Sequence, residues 1–357
     1  MVGLKISSTV WVFVLGAVAS GFDLNNFDQL DAAKRSPDKR IVIRDLFVPA
    51  GKTLELTDLQ PGTVIEFSGR VTFGYQEWDG FMVRLRGKNI RVEGKPGNLL
   101  DVEGHRWWDG KGGNGGRKKP RFMQVTLDDS IVVGLNIKNT PKDCFIVNSS
   151  HNLRVDRINI DIKDGDKKGG HNTDGFGVSG SRNVTVSNCQ VHNQDDCFAT
   201  TSGSDTIFEN SKCTGGHGIS VGSMGAGKVV ERLTVRNCRI LANSNGIRIK
   251  TRRGETGAVR DITFENIELK DIRQYGIVIQ GNYYNSGPKG DPTPFPIHNL
   301  VVNNVHGTVS RKGTNILIWV DPGSVSNWKW NSNVSGGQKE LGCKGVPSGL
   351  NIRCGKK

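Results

Sequence analysis

Residues 175–200 read GFGVSGSRNVTVSNCQVHNQDDCFAT. Two runs in this stretch, Gly175-Phe176-Gly177-Val178 and Cys197-Phe198-Ala199-Thr200, carry an aromatic anchor in a short, strand-like phrase. Between them stands Asn183-Val184-Thr185-Val186, a polar residue followed by alternating apolar positions, as in a half-buried strand. Each kind of run recurs along the chain. The anchored kind returns at Cys144-Phe145-Ile146-Val147, Gly218-Ile219-Ser220-Val221, Gly246-Ile247-Arg248-Ile249, Gly276-Ile277-Val278-Ile279 and Asn315-Ile316-Leu317-Ile318. The second kind returns at Asn89-Ile90-Arg91-Val92, Asn152-Leu153-Arg154-Val155, Arg232-Leu233-Thr234-Val235, Asp261-Ile262-Thr263-Phe264 and Asn299-Leu300-Val301-Val302.

The anchors Phe145, Phe176, Phe198, Ile219, Ile247, Ile277 and Ile316 are spaced by about 21 to 39 residues, within the range of solenoid repeats. One strand per wall and one turn per repeat makes an all-β parallel β-helix, in which each turn covers the apolar face of its neighbours. Repeats this short do not supply the four strands of a propeller blade, and the regular leucines of a leucine-rich repeat are missing. The regular region is expected from about Val71 to Trp330. Residues 27–33 suit a short N-terminal capping helix, because an open solenoid end exposes core and strand edges.

The chain has 357 residues and a formal net charge of +13. Lys5, the apolar stretch Val10 to Val18 and the small-residue site Ala17-Val18-Ala19 read as a secretory signal over residues 1–19. Residues 20–357 then form one catalytic domain, expected to be secreted, extracellular and monomeric. Nothing later is long and apolar enough for a membrane anchor. The positive charge implies an anionic partner. Secretion and the lack of any nucleic-acid motif turn that expectation from nucleic acid and membrane toward an acidic glycan. Asn148, Asn183 and Asn333 head N-x-S/T sequons and are candidate glycosylation sites. Seven cysteines leave at least one unpaired. Cys343 and Cys354 are close enough to close a C-terminal loop, and Cys197 and Cys213 could sit on neighbouring turns. No Cys/His spacing suits zinc, so neither metal nor cofactor is expected.

Aligning the anchors exposes a column two residues before each one: Asp143, Asp174, Asp196, His217, Asn245 and Tyr275. Neighbouring turns lie about 4.8 Å apart, so Asp174, Asp196 and His217 should project from one face, with Asp195 adjoining. Lone Asp residues are common at turn corners, where they bond the backbone. Three adjacent carboxylates repel, and one pKa must rise. A fold does not need that arrangement, whereas acid/base chemistry does. Glycoside hydrolysis uses one protonated and one ionised carboxyl. Arg248 and Lys250, two apart on the same wall, could hold a substrate carboxylate.

The segments Asn172-Thr173-Asp174, Gln194-Asp195-Asp196-Cys197, Gly216-His217-Gly218 and Arg248-Ile249-Lys250 resemble, in order and spacing, the signature motifs of the polygalacturonases, glycoside hydrolase family 28. The similarity runs from about Asp31 to Cys354 and includes Trp107-Trp108-Asp109-Gly110-Lys111-Gly112. It implies a single-domain right-handed parallel β-helix of the pectin-lyase-like kind. It implies hydrolysis of α-1,4-linked galacturonan (pectin) with inversion, most naturally endo-acting. By matching positions, Asp195 is the general acid, Asp174 and Asp196 activate water, and His217 assists their ionisation. Asn172, Arg248, Lys250 and Tyr283 are substrate-binding, although Tyr284 beside Tyr283 leaves that register open. The column alone would make Asp196 the acid. The resemblance also implies the disulfides Cys197–Cys213 and Cys343–Cys354, and plant inhibitor proteins as partners. The chain departs from the family in lacking an N-terminal cysteine pair and in having Gly177 where an Asp often stands. The competing readings are an exo-acting enzyme, a Ca²⁺-dependent pectate lyase, a rhamnogalacturonan hydrolase, and a non-catalytic pectin-binding or inhibitor-binding β-helix.

Overall fold

The computed structural model describes residues 21–284, 287–339 and 341–354; the expected signal at residues 1–19 lies outside them. Every named strand joins one 29-stranded sheet. All pairings are parallel, each strand bonding to its counterpart one turn before and one turn after. The result is the expected right-handed parallel β-helix.

The anchors stack in the register the repeat implies. Phe145 lies opposite Phe176, Phe176 opposite Phe198, Phe198 opposite Ile219, Ile219 opposite Ile247, Ile247 opposite Ile277 and Ile277 opposite Ile316. All seven are buried. The side-chain period of two sends anchors inward and their neighbours outward. One wall of outward positions therefore carries Ile146, Gly177, Ala199, Ser220 and Arg248 in file. Inside, the rings of Phe145 and Phe176 lie 5.4 Å apart and those of Phe198 and Phe208 stack at 4.7 Å. Burying such a side chain contributes about 2–3 kcal/mol, so the aromatic column is a main source of cohesion where the functional groups sit.

The polar residues that lead the second wall are its corners. Asn89, Asn152, Asn183, Arg232, Asp261 and Asn299 all have φ between 51° and 56°. Asn and Asp tolerate this left-handed conformation better than most residues, and Arg232 is the exception. At the next corner Asn237 donates to Asn210, Asn266 to Asn237 and Asn304 to Asn266, so each amide serves the turn below it.

The structure departs from the expected repeat in three places. The solenoid starts well before Val71, with Phe22–Leu24 pairing onto Arg40–Arg44 and Arg40–Arg44 onto Val64–Ser68. These early strands are short and lack the anchored phrase. The Phe198 turn has a second-wall strand, Gly203–Glu209, cornered by Asp205 (φ 56°) and paired between Ser181–Ser187 and Lys228–Leu241. Its single Phe208 hid it in the sequence. A short helix, Gly165–Lys168, is inserted between the third-wall strand Asn159–Asp161 and the anchored strand Phe176–Ser179, and ends at Gly169 (φ 80°).

The N-terminal cap is a 3₁₀ turn, Phe27–Gln29, running into a helix, Leu30–Arg35, with Leu30 and Ala33 buried. Among the described residues no helix is long and apolar enough to cross a membrane.

Both expected disulfides are present, with Cα–Cα separations of 5.7 Å for Cys197–Cys213 and 5.8 Å for Cys343–Cys354. Cys197–Cys213 bridges the start and end of a single turn rather than neighbouring turns, since Cys197 leads into Phe198–Thr200 and Cys213 lies in the same turn's third strand. Cys144, Cys189 and Cys238 are buried free thiols. Burial pushes Cys189 and Cys238 up to about 12, so they pack as inert apolar groups.

Candidate active site

The outward face of the anchored wall forms a groove of about 600 Å³. Its lining runs from Phe81, Arg121 and Gln124, past Asp143, Asp174, Asp195 and Asp196, to Gly222, Ser223, Lys250 and Tyr283. The groove thus continues on both sides of the carboxylates.

The backbone that presents the carboxylates is fixed by a residue the motifs conceal. Asn193 is buried and donates to the carbonyls of Thr173, Asp195 and Asp196 at 2.9, 3.0 and 3.0 Å. One amide therefore ties the segment through Asp195 and Asp196 to the loop that leads into Asp174. Its position just ahead of Gln194-Asp195-Asp196 is the only sequence signal it gives.

The three carboxyls have different surroundings. Asp196 is buried and meets two cations: Arg248 Nη2 donates to Oδ1 at 2.5 Å and Lys250 Nζ to Oδ2 at 2.9 Å. Ser220, also missed in the sequence, accepts from Arg248 Nε at 3.0 Å and donates to Asp196 Oδ1 at 2.8 Å. It was findable as the outward strand neighbour of Arg248.

Asp195 Oδ1 receives the Asp196 backbone N–H at 2.7 Å and lies 3.1 Å from His217 Nδ1. Its Oδ2 receives Asn172 Nδ2 at 2.9 Å. Burial works to raise the Asp195 carboxyl, but the His217 hydrogen bond and charge, backed by Lys250 and Arg248, bring it well below the usual carboxylate range.

Asp174 is the opposite case. Burial, then the charges of Asp195, Asp143 and Asp196, push its carboxyl well above the ordinary value, with Lys250 only partly opposing them. In the substrate-free protein the proton that the cluster retains therefore sits most favourably on Asp174. A carboxyl raised by folding favours the fold while protonated and loses that contribution as pH climbs through the raised value. Asp174→Asn should therefore raise the melting temperature at neutral pH by a few degrees, roughly the effect of 1 kcal/mol or more. The gain should vanish in acid. A variant less stable than the parent at neutral pH would contradict this placement, and a melting series against pH reads it.

Arg248 and Lys250 project into the site as their spacing implied, but both bind Asp196 directly. Tyr283 is the tyrosine of the site: Lys250 Nζ lies 5.4 Å from its ring centre, whereas Tyr284 is exposed and faces Lys289. Asn172, expected to bind substrate, has Oδ1 accepting from Gly113 N–H at 2.9 Å and Nδ2 donating to Asp195. It serves the carboxylates first. Gly177 lies on the groove wall between Ile146 and Ala199, and a Cβ there would meet only Ile146 Cδ1, at 2.9 Å. Asp143, one turn before Asp174, is paired with Arg121 at 3.2 Å. Asp195, Asp196 and His217 approach one another closely enough to suggest a cation site. Arg248 and Lys250 already supply the positive charge there, so the donor set does not fit a metal ion.

Of the sequons, Asn148 lines the groove and donates to Ser179 Oγ at 2.9 Å. A glycan on it would occupy the groove. Asn183 and Asn333 are exposed on outer walls, and Asn183 also donates to Asn152 at 2.9 Å.

The family model for Glycosyl hydrolases family 28 matches residues 39–353. A polygalacturonase of Cochliobolus carbonum is 45% identical over 346 residues, covering 94% of this chain and 95% of that protein. Endopolygalacturonase 1 of Colletotrichum lindemuthianum is 42% identical over 362 residues, covering 96% of this chain and 99% of that protein. Among solved structures, endopolygalacturonase I of Stereum purpureum, complexed with two galacturonates, superposes with a TM-score of 0.75 at 30% identity, covering 88% of this chain and 94% of that one.

Proposed function

Because the chain belongs to glycosyl hydrolase family 28, we propose that it hydrolyses the α-1,4 links of polygalacturonate at internal positions. One observation carries the reading: a groove in which three carboxyls, each with different partners, stand beside Arg248 and Lys250. The carboxyls supply acid and base, and the cations match an anionic sugar. The groove extends beyond the carboxylates in both directions, as internal cleavage requires. Relatives named endopolygalacturonases agree with this.

Asp195 is the general acid, and Asp174 with Asp196 activates the water. Asp195 must gain a proton and Asp174 must give up the one it holds before they act, although the free protein favours the reverse placement. Substrate supplies the means. A galacturonate carboxylate that draws on Lys250 and Arg248 weakens two of the groups holding Asp195 low, and the sugar ring displaces water. Both effects raise the Asp195 carboxyl. His217 completes the control, because it is the strongest partner that lowers Asp195 and weakening their contact raises the carboxyl.

Two disulfides suit an oxidising, extracellular compartment. The site is complete within one chain, which suits a monomeric enzyme.

The test is a product profile from polygalacturonate over time, with chelator present. The expected result is a ladder of saturated oligomers that shortens with time. Monomer alone from the first minutes would mean end-wise action. Unsaturated products absorbing in the ultraviolet would mean elimination, and binding without any product would leave a non-catalytic β-helix.

A further inference from the structure

Asn172 is clamped from outside the groove. Residues 109–119 form a loop closed on the Asp109 carboxylate. Its Oδ1 receives Lys111 N–H at 3.0 Å and Lys119 Nζ at 2.9 Å, and its Oδ2 receives Arg117 N–H at 2.8 Å. The Lys119 side chain is 1% exposed, so the ion pair is out of solvent on the cation's side. Gly110 N–H bonds the Gly169 carbonyl at 2.9 Å, which ties the base of the loop to the end of the short helix Gly165–Lys168.

The loop tip sits directly on the first catalytic motif. Gly113 N–H donates to Asn172 Oδ1 at 2.9 Å. Gly112 has φ 56°, and a Cβ on it would stand 2.3 Å from Asn172 Oδ1 and 2.8 Å from the His171 carbonyl. No side chain fits between loop and motif. Asn172 itself has φ 53°. Since its Oδ1 is committed to a donor, its Nδ2 must face the other way, where it donates to Asp195 Oδ2 at 2.9 Å.

We propose that the 109–119 loop is a positioning element of the hydrolytic site: Asp109 holds the loop closed, Gly113 sets the orientation of the Asn172 amide, and Asn172 in turn fixes the plane of the Asp195 carboxyl. Asp109 and Asn172 are positioning residues that act through Asp195. The proposal rests on the reading of Asp195 as the acid, and it adds how that acid is aimed. The Asn172 hydrogen bond favours ionised Asp195. The other groups facing Asp195 are His217 from the next turn, Lys250 and Arg248 from the turn beyond, and the carboxyls of Asp174, Asp196 and Asp143. Burial would raise Asp109, but Lys119 and the two backbone N–H groups hold it down at about 2. The clamp therefore stays charged from mildly acidic pH upward.

The experiment is a mutant cycle with Asp109→Asn, Asn172→Ala and the double variant, each assayed on polygalacturonate across pH, with folding checked by melting temperature. Each single variant should lower kcat about tenfold, as a small misalignment of a reacting group does, with little change in KM. The double variant should be no worse than Asn172→Ala alone, because both changes break one chain of contacts. The alkaline limb of the kcat/KM profile should move up in all three, since losing the Asn172 donor raises the carboxyl that must be protonated. Additive losses, or losses with no shift of either limb, would overturn the proposal. Non-additive losses with the acid limb shifted would keep the clamp but make Asp195 a base, so the two readings fail separately. If Asp109→Asn does not fold, Gly112→Ala takes its place in the cycle, because its Cβ presses on Asn172 from the loop side.

Discussion

Asp195→Asn should lower turnover of polygalacturonate by about a thousandfold or more, at the upper part of the range for losing a general acid, while substrate binding and the fold are kept and the melting temperature at neutral pH falls, because a carboxyl held low by folding stabilises the fold when ionised. The amide is the same size and keeps one oxygen for the Asp196 N–H and His217, while its NH2 takes the place of the oxygen that accepted from Asn172 Nδ2. It has no acidic proton to give to the leaving oxygen. The free protein makes this a sharp test, because its electrostatics favour a proton on Asp174 and not on Asp195. A galacturonosyl fluoride separates the two carboxyls, since fluoride leaves without protonation. Asp195→Asn should hydrolyse the fluoride at a substantial fraction of the parent rate, and Asp174→Asn should not. If rescue appears in Asp174→Asn instead, the acid is Asp174.

Lys250→Met should be the second severe variant. It removes one of the two cations on Asp196, whose carboxylate is buried, and leaves charge without its full match. Breaking such a buried pair from one side costs about 3–5 kcal/mol of stability. Activity should fall further than stability predicts, by about a hundredfold in kcat/KM, because Asp196 shifts toward Arg248 and the Tyr283 ring loses the ammonium beside it. Denaturant unfolding and steady-state kinetics on one preparation check both parts. The companion Asp196→Asn, Lys250→Met should be less stable than Lys250→Met and equally inactive, because it also strips the buried Arg248 of the carboxylate it binds at 2.5 Å. A double variant more stable than Lys250→Met would mean that Arg248 does not depend on Asp196 for its charge.

The two walls were legible because their periodicity reports burial directly. Phe176, Phe198 and Ile219 alternate with outward residues, and stacking turns left few ways to place them. The early turns were not legible because Phe22–Leu24 and Leu54–Leu56 are too short to establish a period. The column brought Asp174, Asp196 and His217 together on residue spacing alone. Spacing could not show that Asp196 would be bound on both oxygens by Arg248 and Lys250. Nor could it show that Asn172 is turned toward Asp195 by a loop about sixty residues earlier, since that contact depends on how the loop closes over Asp109. Ser220 and Asn193 were hidden for the same reason. Their roles come from neighbours on other turns, not from neighbours in the chain.

Adjacent turns set backbones about 5 Å apart, a spacing nearer to that of a retaining hydrolase than to the wider gap of an inverting one. The arrangement proposed here, with Asp195 as acid and Asp174 with Asp196 holding water rather than attacking the sugar, requires inversion. Proton NMR of the digest in its first minutes, before mutarotation, decides it. The β-anomer should appear first at the new reducing end; an initial α-anomer would mean that a carboxylate attacks the sugar and would contradict the account.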